Sequence, residues 1–395
     1  MSGCTLPGGK RGGVPKIDMV VENPLSVKRT DEFVVLKVAD LKEIAPDFSQ
    51  NTFIVLQADS NQEIPNQLDD MNNDGEGDEI AMIMDMEPRE KKKIVFRYSS
   101  EGRAVTLGYK KRTRAAVHPE YEGIGWESEL IAYRVHPDHR NSVCVFGKQT
   151  PGLSLDKFAA GGEYNRLKPW GVNILDGGNS TGCGGFGVWH ENRLVKPSNM
   201  ISRSLPKPGD EVARYTRVVA DGPVRSVAQV IFDNWRIGDQ KLRVTSTYSI
   251  FAGQRWTSCQ IRIEGANEPI KIASGLIRRD DLQVAPVLVK DERNGILYTW
   301  GARSDLNPPD NMGIALIYPT ESFDSFHEDD KSGSYLVVLN PGADNEIGYW
   351  FLSAWNRGES GVKKDTQFAE LVSSVAQNIR HPLTVTIMPV ESKSK

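Results

Sequence analysis

The sequence predicts an all-β chain: a large antiparallel β-sandwich preceded by a small β-sandwich, with few helices. Three observations carry this expectation. Leu242, Val244, Ser246, Tyr248 and Ile250 alternate with Arg243, Thr245, Thr247 and Ser249, the period-two pattern of a strand with one buried face. Short β-rich runs divided by polar turns recur along most of the chain. Only one segment has a clear helical period: Phe368, Leu371, Val372 and Val375 stand at i, i+3, i+4 and i+7, after a cap at Asp365 or Thr366 and before Pro382.

Taken in order, residues 1–15 form a flexible Gly- and Pro-rich leader. Residues 16–100 read as the small sandwich, built on runs such as Phe33-Val34-Val35-Leu36-Lys37-Val38 and Thr52-Phe53-Ile54-Val55-Leu56. The charged stretch Glu90 to Lys93 and the polar Ser99-Ser100-Glu101-Gly102 mark its end. Residues 101–395 read as the large sandwich, with strands expected at Ser226–Phe232, Cys259–Ile263, Ile296–Trp300, Gly313–Tyr318, Ser334–Leu339 and Leu383–Met388.

The totals exclude several classes. A chain of 395 residues with 39% hydrophobic and 25% charged content buries a real core. Its 48 Lys and Arg are spread along the chain and the net charge is −4, so no basic footprint for nucleic acid exists. No run of about 18 or more apolar residues occurs. Met1-Ser2-Gly3-Cys4 reads like the end of a bacterial lipoprotein cleavage site followed by a tether, which implies a lipid anchor at Cys4 and a periplasmic or outer-membrane-anchored protein. The alternative is a chance Cys near an ordinary start. Cys144, Cys183 and Cys259 are widely spaced and odd in number, so buried free thiols are expected rather than disulfides.

Several runs carry candidate chemistry. Asp70, Asn72, Asp74 and Asp78 occupy oxygen positions of a calcium-type loop with Gly75 at the sharp turn, but Ala81 stands where the bidentate Glu belongs. Either a structural calcium in a β turn or an acidic hairpin without an ion fits; no other cofactor is called for. His136 and His139 flank Pro137-Asp138, a spacing for a metal pair or simply a turn. In the run from His118 through Trp126-Glu127-Ser128-Glu129 to Tyr133-Arg134, a single strand would put Trp126 and Arg134 on one face and Glu127 and Tyr133 on the other. The Gly-rich run from Trp170 to His190 implies either close approach of backbone to a ligand or repeated tight bends, and its tryptophans offer flat faces for sugar rings. Tyr215, Arg217 and Arg225 surround an Asp221-Gly222-Pro223 turn, where guanidinium groups would clamp an anionic sugar or simply line an exposed strand.

Trp126-Glu127-Ser128-Glu129 to Arg134, Trp170-Gly171-Val172-Asn173 to Gly187, and Arg217 to Arg225 together resemble a bacterial family of unknown function found among polysaccharide-degradation enzymes. The resemblance runs from about residue 17 to the C-terminus. It implies a galactose-mutarotase-like supersandwich with an N-terminal β extension, and an activity similar to that of ulvan oligosaccharide dehydratases, which remove water from a non-reducing-end uronic acid to leave a 4,5-unsaturated sugar. Asn173 stands where the family has Asp, and Ser128-Glu129 replaces Asn-Asp.

Such chemistry needs a cation for the charge that builds on the uronate, a base for C5 and an acid for the leaving hydroxyl. The corresponding expectation gives Arg134 and Arg217 the charge, His118, His190 and Tyr133 the acid and base work, and Trp126, Glu127, Trp170, Asn179, Tyr215 and Arg225 the contacts to an acidic oligosaccharide. A sugar epimerase or mutarotase and a non-catalytic carbohydrate-binding lipoprotein are the alternatives.

Overall fold

In Gln240–Phe251 the side chains of Leu242, Val244, Ser246, Tyr248 and Ile250 are buried while those between them are not, as the alternation requires. The same logic builds the rest of the protein. The computed structural model describes residues 14–99, 108–118, 123–136, 138–159, 165–197, 200–202, 212–290, 293–303 and 310–388. They are all-β apart from three α-helices among the described residues, at Val38–Ile44, Leu155–Ala159 and Asp365–Arg380.

The chain divides into two compact units: Met1–Leu68 with Gly77–Tyr109 and Leu383–Lys395, and Asp69–Glu76 with Lys110–Pro382. The smaller unit has a four-stranded sheet in the order Thr384–Ile387, Lys16–Glu22, Lys91–Tyr98, Phe53–Gln57, and pairs Arg29–Lys37 with Glu79–Met86 in another. Ile17, Met19, Val21, Val34, Leu36, Val55, Ile80 and Phe96 form its core. Two details differ from the sequence reading. The last strand returns to pair antiparallel with the first, Val20 opposite Thr386, instead of joining the larger unit. Val38 opens a seven-residue helix, too short to show a helical period in sequence.

Among the described residues the larger unit holds three sheets, antiparallel throughout except that Met200–Ser202 pairs parallel with Val212–Asp221 at the edge of one of them. The first runs Gly171–Leu175, Ser142–Lys148, Ile131–His136, Gly123–Ser128, Thr113–His118. A second five-stranded sheet orders Arg193–Val195, Cys183–His190, Ile272–Ile277, Ser334–Leu339 and Phe323–Asp329. The third has nine strands, with Arg225–Ile237, Gln240–Phe251, Trp256–Glu264 and Glu346–Trp355 at its centre. One continuous core joins them. Trp126 of the first sheet stacks on Tyr248 of the nine-stranded sheet at 4.5 Å between ring centroids, and Tyr133 meets Phe351 edge-on at 5.3 Å. The Trp126 indole N–H donates to Thr257 Oγ1 at 2.9 Å, so its polar atom is satisfied inside the core.

The stretch from Trp126 to Arg134 is two strands, not one. Gly123–Ser128 and Ile131–His136 are joined by a tight turn at Glu129-Leu130, and Trp126 pairs with Tyr133, Gly125 with Arg134. Paired residues share a face, so Trp126 and Tyr133 both point into the core, while Arg134 lies on the opposite face. The single-strand expectation had separated Trp126 from Tyr133 and joined it to Arg134; the turn inverts that parity.

Trp126→Ala should cost about 3–5 kcal/mol of stability, because a fully buried aromatic leaves a cavity. Urea unfolding measures it, and an unchanged midpoint would place the ring outside the core. Trp126→Phe should lose less.

Candidate functional site

Val143 and Val145 point into the core, so their neighbours Ser142, Cys144 and Phe146 face the outer side of the first sheet. The register sets Cys144 opposite Arg134, Ser142 opposite His136, and Phe146 opposite both Ala132 and Asn173. The Arg134 guanidinium lies 5.4 Å over the Phe146 ring. Its Nη2 is 3.3 Å from His136 Nε2, and Arg140 Nη2 is 3.1 Å from His136 Nδ1. Arg140 is itself held by Asp138, with Nε and Nη2 at 2.8 and 2.6 Å from Oδ2. Burial first, then the charges of Arg134 and Arg140, push the His136 imidazole down to about 4. A neutral ring accepts a hydrogen bond at one nitrogen only, so His136 holds one of the two guanidinium groups and merely faces the other.

The glycine-rich run supplies the wall beside this layer. Gly182 has φ +65°, and a Cβ there would lie 2.1 Å from Val143 O; at Gly184, φ +87°, it would meet the Phe351 ring at 2.4 Å. These glycines let the 176–182 turn and the following strand press against neighbouring backbone and core. Of the two sequence readings, close bends win over backbone approach to a ligand at these positions. Lys196 Nζ ties the turn down by donating to Asn179 O at 2.6 Å and Ser180 O at 2.9 Å, and burial pushes it down to about 8.

A cavity of about 480 Å³ opens beside the layer, with a polar lining of Asn165, Asn173, Asp176, Arg279, Asp280 and Asp281. That is the size class of small-molecule sites. The Asn173 amide donates to Asn165 Oδ1 at 2.9 Å, and its Oδ1 accepts from Leu175 N at 3.2 Å. Asp176 is exposed and connects the cavity to the layer beneath, its Oδ1 3.8 Å from Cys144 Sγ. His136, Cys144 and Asp176 bring three ligand-type atoms within 4.8 Å of one another. Both ring nitrogens of His136 face guanidinium groups, however, and burial pushes the Cys144 thiol up, so this set does not suit a cation. His139, the other half of the expected metal pair, is exposed.

The other expected site residues lie elsewhere. Tyr133 is fully buried; its hydroxyl donates to Arg255 O at 2.5 Å and accepts from Ser353 N at 3.0 Å, and burial holds its pKa well above the ordinary value. Core packing thus removes Tyr133 from proton transfer and Trp126 from sugar stacking. Glu127 is likewise buried, its carboxylate accepting from Ser154 N, Leu155 N, Ser154 Oγ and, at 2.5 Å, Lys148 Nζ, so no oxygen is left for a sugar. Arg225 is buried in an ion pair with Asp69, Nη2 2.5 Å from Oδ2, and Arg217 donates to Met71 O at 3.3 Å. Tyr215 lies with Arg217 on Val212–Asp221 of the nine-stranded sheet, opposite Ile231, and Arg225 opens the next strand. Arg217 and Arg225 fasten the 69–76 segment instead of meeting Arg134. His190 is on a third sheet, in a groove with Trp189, Lys271 and His327. Trp170 is half-buried against the Phe146 cluster, and Asn179 is exposed at the turn tip. The backbone of His118 pairs with Gly123, and its side chain lies outside the described residues, as does Cys4. The expected convergence of Tyr133, Arg134, His190 and Arg217 on one cleft does not occur, because three different sheets carry them.

In the acidic loop, the Asp70 carboxylate accepts from Asn73, Asp74 and Gly75 N, Asn72 Oδ1 from Asp74 N, and Asp74 Oδ1 from Glu76 N. Those oxygens serve the turn's own backbone. Asp78 belongs to the smaller unit.

Sequence reasoning missed His136 in its actual role, Asp176, and Arg279. Cys144, Cys183 and Cys259 are buried free thiols, as expected.

Residues 21–385 match the family described as Domain of unknown function (DUF4861). None of the curated proteins matches the chain. Among solved structures it is similar to a glycosyl hydrolase family 38 protein from Enterococcus faecalis, at 11% identity and TM-score 0.46 over 96% of this chain and 48% of that one. An alpha-mannosidase from Enterococcus faecalis V583 gives 11% identity and TM-score 0.45 over 96% of this chain and 46% of that one. The chain spans about half the length of those structures.

Lys148→Met, which strands the buried Glu127 carboxylate, should cost about 3–5 kcal/mol, and adding Glu127→Gln should restore part of the loss. Denaturant unfolding of the pair of variants decides it; equal stability of both with the parent would contradict the buried pair. The His136 value of about 4 lies below the 6.5 of an ordinary imidazole, so the unfolded chain takes up the proton first as pH falls. His136 thus subtracts stability between pH 6.5 and 4, and His136→Asn should flatten the loss of stability measured across that window.

Proposed function

We propose the following for this chain, which belongs to the family described as Domain of unknown function (DUF4861): it is a carbohydrate-active lyase that eliminates water from a non-reducing-end uronic acid of an acidic oligosaccharide, leaving a 4,5-unsaturated sugar. The observation that carries this reading is the 480 Å³ cavity, whose carboxylates and amides suit sugar hydroxyls and whose wall includes Asn173 of the Trp-Gly-x-Asn run.

In this reading Asp176 takes the proton from C5. The C4–O bond breaks, the leaving hydroxyl takes up the proton that Asp176 removed and departs as water, and the C5–H electron pair becomes the C4–C5 double bond. Arg134 and His136 lie behind Asp176 and act as positioning residues, not as groups that touch the sugar. Arg217, Tyr215 and His190 have no part in it. Negative charge builds on the substrate carboxylate, which calls for a cation in the cavity wall. A lipid anchor at Cys4 and a periplasmic or outer-membrane location belong to the same proposal.

Uronate-terminated fragments of ulvan, pectin, alginate and glycosaminoglycans should yield absorbance near about 230 nm with at least one class, and Asp176→Asn should lower the rate by about 10²-fold or more without unfolding the protein. No rise with any fragment ends the elimination reading. Anomer or epimer exchange without a new double bond points to an epimerase, and binding without turnover to a carbohydrate-binding protein.

A further inference from the structure

Arg278 and Arg279 are neighbours in the link between Ile272–Ile277 and Leu282–Lys290, yet their surroundings are opposite. Arg278 sits at the surface, ion-paired with Asp330 and Glu328 and lying 5.6 Å over the Tyr335 ring. The Arg279 side chain is only 11% exposed. Its nearest carboxylate, Asp281, is 3.8 Å from Nε, beyond hydrogen-bond reach, and both Nε and Nη2 are buried with no hydrogen-bond partner. Burial pushes this guanidinium below its ordinary pKa, the mark of a cation short of compensation.

The fold is cut to hold it there. A Cβ at Gly301 would stand 2.9 Å from Arg279 Nη2 and 2.6 Å from Asp281 O, and Ala302 N donates to Asp281 O at 3.1 Å. The loop is thus stapled to the end of Asn294–Arg303, with the guanidinium laid against a residue that has no side chain. A buried guanidinium whose only close carboxylate stands at 3.8 Å is poorly compensated, and an anionic ligand offsets that by accepting hydrogen bonds from its N–H groups. Asp176, Asp280 and Asp281 line the same cavity, so a singly charged, planar carboxylate with neighbouring hydroxyls fits better than a more highly charged group.

We propose that Arg279 is the residue that binds the sugar carboxylate and so makes this cavity selective for uronic acids over neutral sugars. The inference rests on the cavity being the substrate site, as proposed above, but not on which reaction occurs there. Arg279 meets the carboxylate through the edge of the guanidinium that opens on the cavity, which leaves the ring hydroxyls to the carboxylates and amides of the opposite wall.

The test is binding to the full chain, titrated by NMR with D-glucuronate, D-glucose and inorganic sulfate. The parent protein should prefer glucuronate to glucose by about tenfold or more, and Arg279→Met should abolish that preference while Arg278→Met keeps it. Since Arg279 lacks hydrogen bonds at Nε and Nη2 and meets Asp281 only at 3.8 Å, Arg279→Met should also unfold no more easily than the parent. A preference that is absent from the parent, survives Arg279→Met, or is exceeded by sulfate overturns the inference, as does marked destabilisation by Arg279→Met, which would make Arg279 structural. Loss of turnover with the Arg279-dependent preference intact counts against the elimination reading alone.

Discussion

The larger unit depends on the parity of one tight turn. Glu129-Leu130 joins two strands so that Trp126 falls opposite Tyr133, and this alone decides which residues of the first sheet enter the core and which face outward. The inward set stacks on Tyr248 and Phe351 and fixes the sheet against the nine-stranded one. The outward set is Arg134, His136, Cys144 and Phe146. Glu129 holds the turn by accepting from Arg112 Nε at 2.7 Å and Gly253 N at 3.1 Å. A slip by one residue would bury Arg134 among aromatic rings and expose Trp126, an exchange the core cannot tolerate.

From that constraint the site follows in layers. Buried Arg134, a neutral His136 and half-buried Arg140 form one layer, balanced by Asp138 and supported by Phe146. Asp176 stands above it on a turn that glycines allow to press against the first sheet and that Lys196 ties down. Arg279 enters from the link between the other two sheets. The cavity is thus walled by elements far apart in sequence, and each is fixed by packing that has nothing to do with a ligand.

Strands with one buried face were legible because a period of two is written directly in residue order; Gln240–Phe251 and Ser334–Leu339 fall where the alternation or the apolar run put them. The helix Asp365–Arg380 was legible because its apolar period and Pro382 agree. The site was much less so. Tryptophans and tyrosines read the same whether they stack on a sugar or on one another, and Trp126 and Tyr133 do the latter. Arginines near a turn read the same whether they clamp a ligand or a loop, and Arg225 clamps Asp69. Arg278-Arg279-Asp280-Asp281 has the look of a solvated turn; only tertiary packing separates the exposed arginine from the buried one. Asn173, noted in the sequence only as a departure from the family's Asp, lines the cavity.

The most direct measurement is a crystal structure of the protein with a uronate-terminated disaccharide bound. The sugar should occupy the cavity between Asn173, Asp176 and Arg279, its carboxylate on the guanidinium of Arg279. Density instead against Tyr215 and Arg217, or in the groove of Trp189 and His190, would contradict the assignment of the site.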